Sequence, residues 1–414
     1  MTLPLQPLTK SGRRFVQLME QHAAEFAAHA AELDRAGRFA GENIRALSRS
    51  GALAAAVPEE LGGLGVRSLH DLGLGVCRLA RGDASTAIAS WMHLVATSMM
   101  ARSERALNAA GKQAAAERLE RILRGVADAR DVIAVLASET GTYADYPQTR
   151  ATRVDDGFVI EGMKVFGTLA QAATHLNVAV QIEGADGKRY HGFAFVPRAT
   201  AGVRVNDDWD ALGMRASGSG SVVFDRCRVA SDAVSQMGEL GVQSAASLYL
   251  QLGVNVGLIA ACIGVAEAAR DEAIRIATSR KKLPRDRPAA ARVAIQHLLG
   301  EIDVTLHAVH ATFAHNACAI DQALANHTPR SAALADMRRL DADSHATKIF
   351  VERSCAEIVD RCLTASGGSG YLSKSPLARH YRDVRALPFM FPQATETLQY
   401  IGMVALGVEP VLDL

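Results

Sequence analysis

Apolar positions along the chain change their spacing twice. From Arg13 to Gly125 they recur at three- and four-residue intervals in alanine-rich stretches, as on helices with one buried face. The pattern predicts helices over Arg13–Ala36, Glu42–Ser50, Leu69–Leu79, Ala84–Met100 and Arg102–Gly125, with Asp83 as an N-cap. Val57–Gly65, with Pro58 and three glycines, reads as a turn. Between Val132 and Val234 the spacing shortens to two. Thr152–Gly167 carries β-rich runs on both sides of an Asp-Asp-Gly turn, a hairpin signal. Leu176–Gln181, His191–Val196, Gly202–Asn206 and Ser221–Phe224 are further strands. Helical spacing then returns. Ser244–Lys282 reads as one unbroken pattern, and a helix from Leu248 to Arg280 would span about 50 Å at roughly 1.5 Å per residue. Ala289–Ala325, Ser331–Ala365 and Ala394–Leu406 complete a four-helix bundle.

This order gives an α+β chain: an N-terminal helical domain (1–131), a middle β-barrel-like domain (132–235) and a C-terminal four-helix bundle (236–414). Composition narrows the function. The 414 residues are 49% hydrophobic and 21% charged, with net charge +1, so no long-range field favours nucleic acid or anionic membranes. No apolar run is read as a membrane span, and the first residues show no apolar signal core. A cytoplasmic protein with neither nucleic-acid nor membrane partner is expected. The six cysteines form no CxxC pair and are expected as buried, reduced thiols. His307, His310 and His315 share a helix without a Glu-x-x-His pattern, so no metal is expected. The basic loop Arg280–Arg287 reads as solvated.

Three segments carry a family resemblance. Leu136–Thr168 (LASETGTYADYPQTRATRVDDGFVIEGMKVFGT) is similar to the TEPGAGSD loop and NGxKxWIT hairpin of acyl-CoA dehydrogenases. Trp209–Val229 resembles that superfamily's GxRxS turn. Gly264–Lys282 and Ser366–Gln399 resemble its C-terminal helices, with a GGxGY turn and an RDxR-like segment leading into the catalytic loop. The resemblance implies a flavin enzyme with the acyl-CoA dehydrogenase fold. Ser138 and Gly141 fall on the flavin loop, Phe166 where an aromatic packs on the isoalloxazine, and Thr168 where a hydroxyl meets flavin N5. Arg215 and Ser217 match the GxRxS turn. Arg280 matches an arginine that reaches a neighbouring subunit's FAD, and Gly367, Gly368 and Gly370 match the pyrophosphate turn. Tyr143 and Ala144 depart from the loop, as do Leu283 and Pro284 from the segment after Arg280. FAD in preference to FMN, and a homotetramer, follow from this resemblance.

The catalytic glutamate of that family is missing. Its position falls on Phe391, or on Pro392 one residue later, and the alternative position on the long bundle helix falls on Val254, followed by Asn255. None can take an α-proton, and Glu396 is the nearest carboxylate. The resemblance therefore points to the branch of flavin-dependent (group D type) monooxygenases, or to an oxidase. Such enzymes act through a C4a-(hydro)peroxyflavin on a small organic substrate, aromatic or thioester-linked, with flavin reduced by a separate reductase. His93, on a helix lining the pocket in this fold, is expected to donate to the bound oxygen. An acyl-CoA or acyl-carrier-protein dehydrogenase with Glu396 as relocated base is the second reading, and a non-catalytic flavin-binding scaffold the third.

Overall fold

The computed structural model describes residues 5–142, 146–282, 286–392 and 394–410; the sequence departures at Tyr143, Ala144, Leu283 and Pro284 lie outside them. Six helices come first: α1 (Lys10–Ala27), α2 (Ala30–Ala36), α3 (Gly41–Arg49), α4 (Leu69–Gly82), α5 (Ala84–Ala109) and α6 (Gln113–Ala127). The helix expected over Arg13–Ala36 is two, because the chain turns at His29, whose ring bonds Asn43 Oδ1 at 2.8 Å. The break expected near Met100 is absent. No glycine or proline interrupts Ala84–Ala109, and α5 runs on to Ala109 before the turn at Ala110 and Gly111. Asp83 caps α5 as expected, accepting from the Ser85 N–H at 3.1 Å.

The β region forms one eight-stranded sheet: β1 (Ile133–Leu136), β2 (Arg150–Val154), β3 (Gly157–Lys164), β4 (His175–Glu183), β5 (Arg189–Pro197), β6 (Val203–Val205), β7 (Val222–Ala230) and β8 (Val234–Glu239). Its order is β6-β7-β3-β2-β4-β5-β8, with β1 parallel to β4. The expected hairpin is β2–β3, closed across Val154 and Gly157. The strand path has β6 and β8 at its ends. β8 also carries it past residue 235.

The last region holds α7 (Ala245–Gln251), α8 (Val254–Ser279), the short pair β9 (Lys281–Lys282) and β10 (Arg287–Pro288), α9 (Val293–Asn326), α10 (Leu334–Ser366), α11 (Pro376–Asp383) and α12 (Ala394–Leu406). The long helix expected over Leu248–Arg280 is broken at Gly253, which takes φ +93°. A Cβ there would lie 2.3 Å from Leu69 Cδ1, so only glycine lets the chain turn this close to α4. The stretch Ala245–Ser279 is long and apolar enough by composition to cross a membrane, with mean hydropathy 1.9 over its most apolar 18 residues, which corrects the sequence reading. Burial explains that composition: 83% of the window is inside the protein. α8 packs against α9 and α10 as expected of a bundle, but also against α4 and α5, and α12 lies on α10. The bundle core is thus shared between the first and last regions. Trp91 of α5 shows how: fully buried, it lies against Gly257 and donates to the Val254 carbonyl at 2.8 Å.

Candidate active site

Three chain segments meet in a shelf at the end of the sheet. The Val165 N–H donates to the Ser138 carbonyl at 3.0 Å, Gly167 N–H to Gly220 O at 2.8 Å, and Leu169 N–H to Ser217 O at 3.4 Å. Phe166 stands on this shelf, 54% exposed, with its backbone at φ +53°. Leu169 (φ +72°) and Met214 (φ +51°) share that sparsely populated conformation, and the hydrogen bonds around them hold it. Trp209 meets the Phe166 ring edge to face at 5.8 Å and is tied to Met214 O at 3.0 Å. A large aromatic held in solvent, on strained backbone, is no core residue; its placement suits a wall for a flat ligand.

Beside it, Thr168 Oγ1 lies 2.8 Å from Ser219 Oγ, which lies 2.7 Å from Ser217 Oγ. Thr168 and Ser217 were expected at the flavin; Ser219, the middle of this hydroxyl chain, was missed. The alternation Ser-Gly-Ser-Gly-Ser from Ser217 was its only signal in the sequence. Gly218 between them sits at φ +61°, and a Cβ there would meet the Phe39 ring at 2.6 Å. The wall and the adjacent hydroxyls fit the edge of a flavin ring, whose heteroatoms need directed partners. Thr168→Val should keep the fold, at a stability cost of about 1 kcal/mol for one neutral hydrogen bond, and shift the flavin spectrum and turnover. An unaltered spectrum with unaltered turnover would place Thr168 away from the ring.

The loop after β1 is anchored from below. Lys164, fully buried, pairs with the Glu139 carboxylate, which also accepts the Gln148 N–H at 2.6 Å and the Thr149 N–H at 3.0 Å. Burial alone would raise the Glu139 carboxyl, but the Lys164 ammonium and the Thr149 N–H hold it below its usual value. Gly141, at φ +74° and exposed, lies on this loop with open space around it.

Arg215 bonds to protein groups. Its Nε donates to the Asp34 carbonyl at 2.9 Å and its Nη1 to Ala211 O at 2.9 Å and Asp210 Oδ1 at 3.2 Å, so it ties the turn to the end of α2. The RDxR segment reinforces the same joint. Arg382 grips both Asp34 carboxylate oxygens, and buried Asp383 accepts the Met214 N–H at 2.7 Å. Burial pushes the Asp383 carboxyl up to about 6.

His93 corrects a second expectation. It is fully buried, its Nδ1 accepts the Ile133 N–H at 2.9 Å, and its Nε2 donates to Leu53 O at 3.1 Å. Both nitrogens are spent on backbone, so His93 cannot donate to a bound oxygen; it fastens α5 to β1. Burial lowers its pKa from 6.5 to about 4 against those two bonds. The imidazole is neutral in the fold where the unfolded chain would be protonated. Its contribution is complete above pH 6.5 and is lost as pH falls towards 4, roughly 3 kcal/mol in all. His380, pushed down to about 3 by burial and by Arg379, acts with the same sign. Urea unfolding at pH 7 and pH 5 should therefore show less acid loss in His93→Gln than in wild type. Equal loss would mean that His93 titrates normally.

The glycine turn follows α10. Gly367 (φ +62°) and Gly368 are open, whereas Gly370 is buried, and a Cβ on it would lie 2.9 Å from Ser366 Cβ. Gly370 thus has no room for a side chain against α10. Arg280 stands exposed at the C-terminal end of α8.

Phe391 and Glu396 do come together. With Pro392 they line a cavity of about 400 Å³ walled by Tyr146, His191, Gln243, Ser247, Leu248 and Gln251, and by Asp341, His345, Thr397 and Tyr400. Phe391 and Pro392, on which the resemblance puts the family's base, line this cavity without a group that can take a proton, and Val254, the alternative position, spends its carbonyl on Trp91.

Profiles of the acyl-CoA dehydrogenase N-terminal, middle and C-terminal domains match residues 9–125, 134–227 and 256–389. The chain belongs to the acyl-CoA dehydrogenase superfamily. Within the superfamily it is similar to amino sugar nitrososynthase DnmZ of Streptomyces peucetius, at 35% identity over 97% of this chain and 95% of that protein. It is 34% identical to the L-evernosamine nitrososynthase of a Micromonospora species, over 97% of this chain and 92% of the other. Among solved structures, KijD3 in complex with FMN and dTDP-3-amino-2,3,6-trideoxy-4-keto-3-methyl-D-glucose superposes with a TM-score of 0.88. The two share 32% identity over 98% of this chain and 96% of that one. Butyryl-CoA dehydrogenase from Megasphaera elsdenii, at 22% identity and a TM-score of 0.81, shares the fold. This superfamily member is a flavin-dependent, oxygen-using oxidoreductase, as the missing glutamate implied.

Proposed function

We propose that the enzyme oxidises the amino nitrogen of a nucleotide-linked sugar to a nitroso group. The observation that carries this reading is Phe391 in place of a carboxylate at the cavity of about 400 Å³. Proton abstraction from carbon has no base there, and the relatives without that chemistry act on amino sugars. The flavin, when bound, supplies the electrons and activates dioxygen. The first two-electron step converts the amine to a hydroxylamine, consuming one dioxygen and releasing one water. The second converts hydroxylamine to nitroso, consuming another dioxygen and releasing two waters. Phe166 backs the ring, the Thr168–Ser219–Ser217 hydroxyls offer hydrogen bonds at its edge, and Phe391 presents an uncharged ring where a dehydrogenase would present a carboxylate.

FMN, which KijD3 holds, is proposed over the FAD expected from sequence. The inward packing of Gly370 supports the change, since one of the residues assigned to the FAD pyrophosphate has a purely internal role. Mass spectrometry of the released flavin tests it; recovery of FAD alone would restore the first expectation. A homotetramer and a separate flavin reductase remain part of the proposal. Val293 and Val304, 79% and 73% exposed on α9, support association, and a monomer by light scattering would remove it.

The decisive assay supplies reduced FMN, isotopically heavy dioxygen and the dTDP-linked amino sugar of the KijD3 complex. One heavy oxygen retained on nitrogen is expected. Flavin oxidation with no change in this or related amino sugars would overturn the reading.

A further inference from the structure

The cavity beside Phe391 carries a charge that the protein leaves unanswered. Its lining holds three carboxylates, Asp341, Glu396 and Glu409, and among the described lining residues neither lysine nor arginine appears. Two of the three carboxylates are engaged by neighbours. Arg338 grips both oxygens of Glu409, with Nη1 at 2.9 Å, and its Nε donates to Gln243 Oε1 at 2.8 Å. Asp341 lies 3.4 Å from His345 Nε2, one helical turn on, and accepts from the Tyr400 hydroxyl.

Glu396 is different. It is half-buried in the first turn of α12, and its carboxylate has neither an ion pair nor a hydrogen bond among the described residues. Four residues before Tyr400, it shares a face of α12 with that ring, and both line the cavity. Tyr146 and Phe391 bring two more aromatic rings to the same space. A ring face attracts a cation through its quadrupole, and a carboxylate in a partly enclosed site attracts one more strongly than it would in open water. An unanswered carboxylate among aromatic rings is therefore a seat for an organic cation, and a poor one for a phosphate. Among the described lining residues, His191 and His345 are the other groups able to carry positive charge, and the second is held by Asp341.

We infer that the Glu396 carboxylate receives the protonated amino group of the nucleotide-linked sugar, which sets the sugar's nitrogen at the cavity beside Phe391 and keeps the diphosphate out of it. This rests on the amine reading above and gives that reading a residue. The nitrogen must give up its extra proton before its lone pair can react. A carboxylate here thus tightens the complex with the arriving substrate and does not speed the oxidation. Glu396 in this role selects the substrate.

Calorimetric binding to the flavin-loaded protein tests this with three probes: the dTDP-linked amino sugar, the same sugar with a hydroxyl in place of the amino group, and dTDP. Wild type should prefer the amino sugar over the hydroxyl analogue by about 10–100-fold, the worth of one hydrogen bond to a charged group. Glu396→Gln, which keeps the shape and removes the charge, should bring that ratio to about one and leave the hydroxyl analogue and dTDP unchanged. In turnover the same variant should raise KM for the amino sugar without lowering kcat. An unchanged ratio overturns the inference. So does an equal loss for all three probes, which would mark a structural role, and so does a fall in kcat at unchanged KM, which would make Glu396 a proton carrier in the reaction. Glu396→Asp, which retains the charge, should keep a preference for the amino sugar even if the glutamine variant does not fold; a ratio of about one there overturns the inference as well. A wild type that binds dTDP but neither sugar defeats the amine reading, and this inference with it, a result distinct from the others.

Discussion

Anaerobic mixing of the flavin-loaded enzyme with saturated acyl-CoA esters should leave the flavin oxidised. A dehydrogenase of this fold begins by moving a proton from carbon to a carboxylate, and general-base catalysis is worth about 10²–10⁴-fold in rate. By the resemblance, the two positions from which the superfamily supplies that carboxylate fall on Phe391, or Pro392, and on Val254. Glu396, the alternative expected from the sequence, lines the same cavity from the first turn of α12, as do the carboxylates of Asp341 and Glu409. Stopped-flow spectroscopy with several chain lengths decides between them. Bleaching on the millisecond scale that disappears in Glu396→Gln would establish a dehydrogenase with a relocated base; persistence of the oxidised spectrum in both proteins excludes it.

Breaking the Glu139–Lys164 pair should produce the largest loss of stability. Glu139→Ala leaves a fully buried ammonium with only the Ala137 carbonyl at 3.4 Å, and frees the N–H groups of Gln148 and Thr149. Removing one partner of a buried ion pair costs about 3–5 kcal/mol. The loss should extend to function, because Glu139 follows Ser138 and holds the loop that carries Gly141. Denaturant unfolding would show the midpoint shift, and flavin affinity should fall with it. Replacing both partners, as Glu139→Gln with Lys164→Met, should recover much of the stability but less of the flavin affinity. A stable single variant with normal flavin binding would mean that the loop is ordered by other contacts. The sign with pH follows from the depressed Glu139 carboxyl: its contribution is complete above the unfolded value of 4.5 and is lost as pH falls below that.

Some of this architecture was legible from residue types alone. The period of the apolar positions separated helical from β regions, because a helix and a strand expose different repeats to a common core. The Asp-Asp-Gly turn placed the β2–β3 hairpin, and Asp83 marked the start of α5, since turn and cap chemistry act over a few residues. The motifs around Phe166, Thr168 and Ser217 marked segments that meet in one shelf, and the carboxylate missing at Phe391, or Pro392, was visible as an absence. What the sequence by itself determined was therefore local periodicity, local caps and the identities of motif residues.

Tertiary structure decided where each polar side chain spends its hydrogen bonds. His93 and Arg215 sit in segments expected near the site, yet the backbone carbonyls of Leu53 and Asp34, 40 and 181 residues away, claim them. Gly253 broke the helix expected over Leu248–Arg280 because Leu69, on a distant helix, leaves no room for a side chain. Ser219 joined the hydroxyl chain through the way the 217–220 turn packs beside Thr168. Hydrogen-bond partners and close approaches are properties of pairs of distant segments. A linear pattern records which groups are present; only the packed chain assigns each one to a carbonyl, a neighbouring side chain or a ligand.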